Sequence, residues 1–228
     1  MSTTLMRPIA PLVLFDLDGT LVDSSGDLAA AANAIRADLD LGPVPVAQVR
    51  NAISGGSRTM LAAAIPELTP EQHLPLIDAF LEEYRRNLGR YDVLFDGIAQ
   101  VLEAIEAAGS RWGIVSNKAE SLARLVVERI GLAPRCAVLI GGDTTPRPKP
   151  DPLPLFTACA RLGADPARTV FIGDDLRDVM AGRAAACVTV AATWGFQPAD
   201  TNYAAWNADR IARSPLELLQ PGVLASPA

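Results

Sequence analysis

Short apolar runs alternate along the chain with segments in which apolar residues recur every three or four positions. The short runs predict strands at 12–15, 112–115, 137–140, 170–172 and 188–190. Residues 98–105 have helical spacing that ends at Gly109, and residues 122–130 have the same spacing up to Gly131. Each helix would connect two parallel strands, so the pattern predicts an α/β fold with a Rossmann-like parallel sheet and helices on both faces.

The segment 21–93 departs from this alternation, because it shows helical patterns and no strand signal. Ser24 is suited to cap a first helix that runs to about residue 39, with Asp27 in its first turn. Three further helices are predicted, beginning after Pro45, after Ser57 and near residue 70, with the last ending near residue 88. We therefore expect a helical cap domain at 21–93, inserted into an α/β core formed by residues 1–20 and 94–228.

The composition is that of an ordinary globular enzyme. The 228 residues are 50% hydrophobic, which is enough for a full core and a second, smaller module. A formal net charge of -6 and the scattering of the basic residues argue against a nucleic-acid partner. No apolar run approaches the roughly 20 residues that a membrane helix needs, so we expect no membrane partner.

The three cysteines are Cys136, Cys159 and Cys187. Their odd number, wide spacing and apolar surroundings predict core residues in a reducing compartment, not a disulfide framework or a zinc site. We therefore expect a cytoplasmic protein, and we expect it to act as a monomer or a homodimer.

The first predicted strand runs directly into the sequence Asp16-Leu17-Asp18-Gly19-Thr20. Gly19 lets the backbone leave the strand at once, so both carboxylates can border one crevice. Two carboxylates so close favour a cation between them, and oxygen ligands suit magnesium. The alternative is an Asx-rich turn that merely follows a strand.

Polar residues also follow other predicted strands, at the edge where parallel sheets bind their ligands. They are Ser116 and Asn117, then Lys149 between two prolines, then Asp174, Asp175 and Asp178. Each has a simpler alternative, which is a helix cap for the Ser, Asn and Asp residues and a solvated loop charge for Lys149. Their joint occurrence at one edge of one sheet favours a single site for an anionic ligand.

Together with residues 16–20, these motifs resemble those of the haloacid dehalogenase superfamily of phosphotransferases. The resemblance covers nearly the whole chain, and the insertion point of the helical segment is similar to that of members with a small helical cap. Within the superfamily, the motifs are most similar to those of phosphoglycolate phosphatases.

The resemblance implies a phosphomonoester hydrolase that works through an aspartyl phosphate. Asp16 would attack phosphorus, which divides one difficult displacement into two easier ones. Asp18 would donate a proton to the leaving oxygen and later take one from the attacking water. Thr20 would orient Asp18 or bond the phosphate. The phosphate charge would be stabilised by Lys149, Ser116 and Asn117.

The resemblance also implies magnesium as the cofactor. The Asp16 carboxylate, the Asp18 backbone carbonyl and Asp174 would hold the ion. Asp175 and Asp178 would hold metal-bound water or support the ligands, without ligating the metal themselves.

Selectivity is predicted to lie in the cap loop that contains Gly55, Gly56, Ser57 and Arg58, since a cap covers the leaving group. The glycines permit close backbone approach, and Arg58 would bind a carboxylate or a second phosphate on the substrate. The alternative is a helix start with a solvated Arg58. His73 is expected at the surface of the cap.

Phosphoglycolate is the first substrate that the resemblance suggests, as one of the small phosphomonoesters. The alternatives are sugar phosphates, including amino-sugar acid phosphates, pyrophosphate, and a phosphomutase reaction. A catalytically inactive binding module on the same fold is the alternative from a different functional class.

Overall fold

A six-stranded parallel sheet lies at the centre of the computed structural model, which describes residues 9–227. Residues 1–8 and Ala228, which belong to the predicted core segments, lie outside the described residues. The strands of the chain are β1 Leu12–Phe15, β2 Val22–Asp23, β3 Val93–Leu94, β4 Arg111–Val115, β5 Leu139–Ile140, β6 Thr169–Gly173, β7 Val188–Ala192 and β8 Arg210–Ala212. The order in the large sheet is β5-β4-β1-β6-β7-β8. All five predicted strands are therefore confirmed, and β1 lies between β4, which Ser116 and Asn117 follow, and β6, which Asp174 and Asp175 follow.

Nine α-helices are present among the described residues. They are α1 Ser25–Asp38, α2 Val46–Arg50, α3 Ser57–Ala64, α4 Pro70–His73, α5 Ile77–Asn87, α6 Ile98–Ala107, α7 Glu120–Arg129, α8 Leu153–Leu162 and α9 Leu176–Ala184. No helix in the part of the chain that the structure describes is long and apolar enough to cross a membrane.

Both faces of the sheet are covered, as alternate residues of β1 show. Val13 and Phe15 point into the larger apolar cluster with residues of α6 and α7. Leu12 and Leu14 point into a second cluster with residues of α8 and α9. A strand buried on both faces has no polar alternation, which explains why β1 reads as a continuous apolar run.

Helices α1 to α5 occupy the segment predicted as the cap, but two details of that prediction were wrong. The segment does contain strand structure, because β2 and β3 form a short antiparallel pair at its two ends. The predicted long helix is interrupted by a 3₁₀ turn at Leu74–Leu76. Pro75 has no N–H and clashes with the preceding helical turn, so it separates α4 from α5. We retain 21–93 as the proposed extent of the cap.

His73 is also placed differently from the prediction of a surface position. It is buried, with 4% of its surface exposed, and its Nε2 lies 2.9 Å from the Ile65 carbonyl oxygen. A neutral imidazole with Nε2 protonated would donate to that carbonyl, so His73 fixes α4 against the end of α3.

Asp27 joins the start of the cap to its end. Its carboxylate accepts hydrogen bonds from the backbone N–H groups of Gly89 at 2.6 Å, Arg90 at 3.2 Å and Tyr91 at 2.8 Å. Burial raises the pKa of the neighbouring Asp92 to about 8, so that carboxyl is neutral at pH 7. Asp27 therefore acts as a clamp on the segment that leads from α5 back to the core.

We expect Asp27→Ala to lower the free energy of unfolding by about 1 to 3 kcal/mol, because three N–H groups lose a charged acceptor. Urea unfolding followed by circular dichroism would measure the loss. Asp38→Ala, an exposed carboxylate at the end of the same helix, is the matched control and should change stability by less than about 0.5 kcal/mol. Equal stability of the two variants would show that the clamp contributes nothing.

Candidate active site

The predicted site residues meet where β1, β4 and β6 end. Asp16 follows β1 and donates its backbone N–H to the Ile172 carbonyl of β6 at 2.8 Å. Gly19 has a φ of 85°, and a Cβ at this position would lie 2.3 Å from Asp174 Oδ2. Only glycine allows the chain to turn so close to Asp174. The turn after β1 thus brings its carboxylates against the end of β6.

Lys149 lies inside the site, and the alternative of a solvated loop charge was wrong. Its side chain is 2% exposed, and Nζ lies 2.9 Å from Asp16 Oδ1 and 2.7 Å from Asp178 Oδ1. Nζ also donates to the Val115 carbonyl at 2.8 Å. Burial alone would lower the pKa of Lys149, but the two carboxylates outweigh it and raise the pKa. Lys149 therefore stays charged beside Asp16.

Asn117 holds the backbone of Lys149 in place. Its Nδ2 donates to the Lys149 carbonyl at 2.9 Å, and its Oδ1 accepts from the Lys149 N–H at 3.0 Å. Ser116 is buried and accepts from the Lys118 N–H at 3.3 Å. The side chain of Asn117, a residue expected to help stabilise the phosphate charge, thus positions the lysine.

Asp16, Asp174 and Asp178 form an acidic cluster, in which one carboxylate oxygen of each lies within 4.8 Å of the others. The sequence had placed Asp178 outside the set of direct ligands. The Asp18 carboxylate, by contrast, is not part of the cluster. Burial, and then the charges of Asp16 and Asp178, raise the pKa of Asp174 well above its usual value.

The cluster fits a hard divalent cation. Asp16 Oδ1 is a buried atom without a hydrogen bond among the described residues, although the Lys149 ammonium lies 2.9 Å away. All three side chains offer oxygen, the donor type that magnesium takes. A cation between them would relieve the repulsion that raises the pKa of Asp174.

Thr20 and Phe196 orient Asp174. The Thr20 hydroxyl donates to Asp174 Oδ1 at 3.1 Å, and the Phe196 N–H donates to Oδ2 at 2.9 Å. The prediction had Thr20 orienting Asp18 or bonding the phosphate, whereas the structure places its hydroxyl on Asp174. Phe196 follows the last strong predicted strand, and its backbone contribution has no signature in the sequence.

Asp175 and Asp178 form a capping box at the start of α9. The Asp175 carboxylate accepts from the Arg177 N–H at 2.9 Å, and Asp178 Oδ2 accepts from the Asp175 N–H at 3.1 Å. Arg177 Nε also donates to the Asp175 carboxylate at 2.8 Å, and Arg177 Nη2 donates to the Ser54 carbonyl of the cap loop. Burial alone would raise the pKa of Asp175, but the bonds from Arg177 lower it. Arg177, which the sequence analysis missed, thus connects the core to the cap.

Asp18 forms an ion pair with Lys118, which was not among the predicted site residues. Lys118 Nζ lies 2.7 Å from Asp18 Oδ1 and donates to the Tyr84 hydroxyl of α5 at 2.6 Å. The Lys118 side chain is 8% exposed. Burial alone would lower the pKa of Lys118, but Asp18 and Tyr84 outweigh it and raise the pKa. The sequence could place Lys118 beside Ser116 and Asn117, but nothing in it pointed to Tyr84.

A cavity of about 480 Å³ lies between this cluster and the helices of the proposed cap. Gly55, Gly56 and Ser57 line it, as the prediction for the cap loop required. Arg58 is exposed, does not line the cavity, and has no hydrogen bond or ion pair within residues 9–227. The apolar part of the wall is formed by Leu28, Ile53, Met60, Phe80, Leu81, Ala119 and Leu122.

Comparison with known proteins identifies relatives over nearly the whole chain. Residues 13–192 match the family described as haloacid dehalogenase-like hydrolase. A phosphoglycolate phosphatase from Xylella fastidiosa is 46% identical over 214 residues, 94% of this chain and 93% of that protein. An N-acetylmuramic acid 6-phosphate phosphatase from Pseudomonas aeruginosa is 44% identical over 208 residues, 91% of this chain and 92% of that protein.

A solved structure also resembles the fold of this chain. The crystal structure of a predicted phosphoglycolate phosphatase from Haemophilus somnus has a TM-score of 0.81 and 28% sequence identity. The alignment covers 92% of this chain and 96% of that one. The parallel sheet with its helices is therefore that of a known hydrolase fold.

The raised pKa of Asp174 predicts how the stability of the metal-free protein depends on pH. Between the unfolded-state pKa near 3.8 and the higher folded-state value, the folded protein keeps a proton that the unfolded chain has lost. Stability should therefore fall as pH rises through this window. Asp174→Asn should make the fall shallower, by up to about 1 kcal/mol per pH unit.

Urea unfolding in excess chelator from pH 5 to pH 8 would test this prediction. The slope is the informative quantity, because the amide also changes the bonds to Thr20 and Phe196 and shifts the whole curve. Parallel curves for the two proteins would mean that Asp174 is not held at a raised pKa.

Proposed function

Because the chain belongs to the haloacid dehalogenase-like hydrolase family, we propose that it is a magnesium-dependent phosphomonoester hydrolase whose nucleophile is Asp16. The observation that carries this proposal is the position of Asp16 at a strand end. Its carboxylate lies 2.9 Å from the buried Lys149 ammonium and within the acidic cluster, at the wall of a cavity.

The reaction would proceed in two displacements at phosphorus. An Asp16 carboxylate oxygen attacks phosphorus, the bond to the leaving oxygen breaks, and Asp18 gives that oxygen its proton. Asp18 then takes a proton from a water molecule that attacks the same phosphorus, which releases phosphate and restores Asp16. Lys149 and Ser116 lie beside Asp16 and would stabilise the charge on the transferred group.

The proposed magnesium ligands are the Asp16 carboxylate, the Asp18 backbone carbonyl and Asp174. The position of Asp178 within the cluster also makes it a candidate, directly or through water. When bound, the ion would neutralise the carboxylates and let an anionic nucleophile approach an anionic phosphate.

The substrate is proposed to be a phosphate ester whose leaving group carries a carboxylate. Phosphoglycolate is the first candidate, because relatives 44 to 46% identical bear that name. N-acetylmuramic acid 6-phosphate is the second, and the cavity favours it. A volume of about 480 Å³ is far larger than glycolate needs, and the apolar wall offers contacts to the acetyl and lactyl groups of the sugar.

We also propose a cytoplasmic location and a monomer or homodimer, without a nucleic-acid or membrane partner. The three free cysteines support the cytoplasmic location. The net charge of -6 supports the absence of a nucleic-acid partner.

We expect purified protein to release phosphate only with magnesium, and calcium to inhibit because its larger coordination shell can engage both Asp16 oxygens. Asp16→Asn should abolish turnover while circular dichroism stays unchanged, and acid quenching of the wild type should trap phosphate on Asp16. A panel should contain phosphoglycolate, N-acetylmuramic acid 6-phosphate, sugar phosphates and pyrophosphate. We expect the two esters that carry a carboxylate, phosphoglycolate and N-acetylmuramic acid 6-phosphate, to have the highest kcat/KM values in this panel.

Turnover by a folded Asp16→Asn protein, or full activity in chelator, would remove the proposed mechanism. Phosphate returned to the substrate at a new position would indicate a mutase. No reaction with any ester would favour an inactive binding module.

A further inference from the structure

The chain contains only two lysines, Lys118 and Lys149, and both side chains are buried at the same cavity. Every other basic residue apart from the single histidine is arginine. Oxygen atoms of Asp16, Asp178 and Val115 lie within 2.9 Å of Lys149 Nζ, so that ammonium is already surrounded by groups of the site itself. Lys118 Nζ has two such partners, Asp18 and Tyr84, and therefore keeps one donor.

Tyr84 supplies a second donor next to the first. Its side chain lies in the cavity wall with 1% of its surface exposed, and its hydroxyl accepts a bond from Lys118. An oxygen that accepts still has its own proton to give, and that proton has no acceptor in the described part of the chain. Burial raises the pKa of Tyr84, so the phenol remains protonated.

The other two cations near the cavity are less suited to bind a leaving group. Arg177 commits Nε and Nη2 to the Asp175 carboxylate and the Ser54 carbonyl, and only its Nη1 has no hydrogen bond within residues 9–227. Its side chain is also 37% exposed, so water screens its charge. Arg58, the residue that the sequence suggested, is exposed and lies outside the cavity wall. Lys118 is therefore the buried cation of the cavity wall that keeps a donor for an anionic leaving group.

We propose that Lys118 and Tyr84 form a receptor for the carboxylate of the leaving group, one ammonium proton and one phenol proton binding its oxygens. This inference rests on the proposed phosphatase function and specifies which phosphate esters the site accepts. Lys118 lies in the core and Tyr84 in α5, so the receptor is complete only when the cap lies on the core. Carboxylate binding would therefore favour the arrangement in which the cap lies on the core and Lys118 holds Asp18.

Two matched pairs of substrates test the receptor in the presence of magnesium. Phosphoglycolate is compared with 2-hydroxyethyl phosphate, and N-acetylmuramic acid 6-phosphate with N-acetylglucosamine 6-phosphate. The members of each pair have similar leaving oxygens, and only the first member carries a carboxylate, which in the sugar belongs to the lactyl ether. The ratio of their kcat/KM values therefore isolates recognition from effects on Asp18 or on cap closure. The pair with the larger ratio identifies the source of the carboxylate.

Lys118→Met should lower this ratio by about 10- to 100-fold, the scale of one charge-assisted contact. Tyr84→Phe, which keeps the ring, should lower it by roughly 3- to 10-fold. Lys118→Arg should retain more of the ratio than Lys118→Met. Arg86→Met is the matched control, because it removes an exposed cation of α5, the helix of Tyr84, that does not line the cavity. It should leave the ratio unchanged.

A direct measurement uses the low lysine content. Protein labelled with ¹⁵N at the lysine side chains should give two ammonium signals, and Lys118→Arg assigns them. N-acetylmuramic acid or glycolate should shift the Lys118 signal, whereas N-acetylglucosamine should not.

The possible failures are separable. A wild-type enzyme that hydrolyses both members of each pair equally would overturn the receptor and leave the phosphatase function intact. If Arg58→Ala removes the kcat/KM preference for the carboxylate substrate and Lys118→Met does not, the cap loop binds the carboxylate and the proposed receptor is overturned. Absence of any phosphate release would contradict the proposed function, and the ¹⁵N spectra would then decide on the receptor.

Discussion

Three largely buried carboxylates share the end of one sheet with a single ammonium, and the other parts of the site are arranged around this imbalance of charge. Asp16 and Asp174 are brought together because β1 and β6 are neighbours in the sheet, and Asp178 follows in the first turn of α9. Isolated in water, such groups would separate. Here the apolar clusters on both faces of the sheet hold the strand ends in place, so the energy of core packing maintains an arrangement that is electrostatically unfavourable without a cation.

Two polar contacts join the core to the proposed cap beside the cavity. Arg177 reaches the Ser54 carbonyl, and Lys118 reaches Tyr84. Water can replace such bonds with little change in free energy, whereas separating two apolar surfaces is unfavourable. This choice of contacts suits a cap that must open for each substrate and product.

The sequence predicted the sheet, and it also predicted that several candidate site residues would lie together at one edge, because both depend on local patterns. Continuous apolar runs identify strands that are buried on both faces, and Asp16, Lys149 and Asp174 follow such runs directly. β8 was missed because Arg210–Ala212 has one large apolar residue and lies at the edge of the sheet. His73 was misplaced because a carbonyl at the end of another helix satisfies its ring, and such pairing has no local signature.

The same limit applies to the leaving-group side of the cavity. Arg58 was predicted to bind the leaving group because it lies in the glycine-containing cap loop and its guanidinium suits a carboxylate, yet its side chain is exposed. Tyr84 is far from every motif in the sequence and reaches Lys118 only through the packing of α5. Roles that depend on contacts between distant segments require the three-dimensional structure.

The antiparallel pairing of β2 with β3 makes the folding of the sheet largely independent of the cap segment. Val22 pairs with Leu94 and Asp23 with Val93, so the segment leaves the core and returns to it at the same point. For the core, everything between those residues is a loop whose ends are already joined, and loop closure depends only weakly on the length enclosed. Helices can therefore be lengthened, replaced or removed there with little consequence for the folding of the sheet. Substrate range can change in this architecture through exchange of one module, while the chemistry at the strand ends is inherited unaltered.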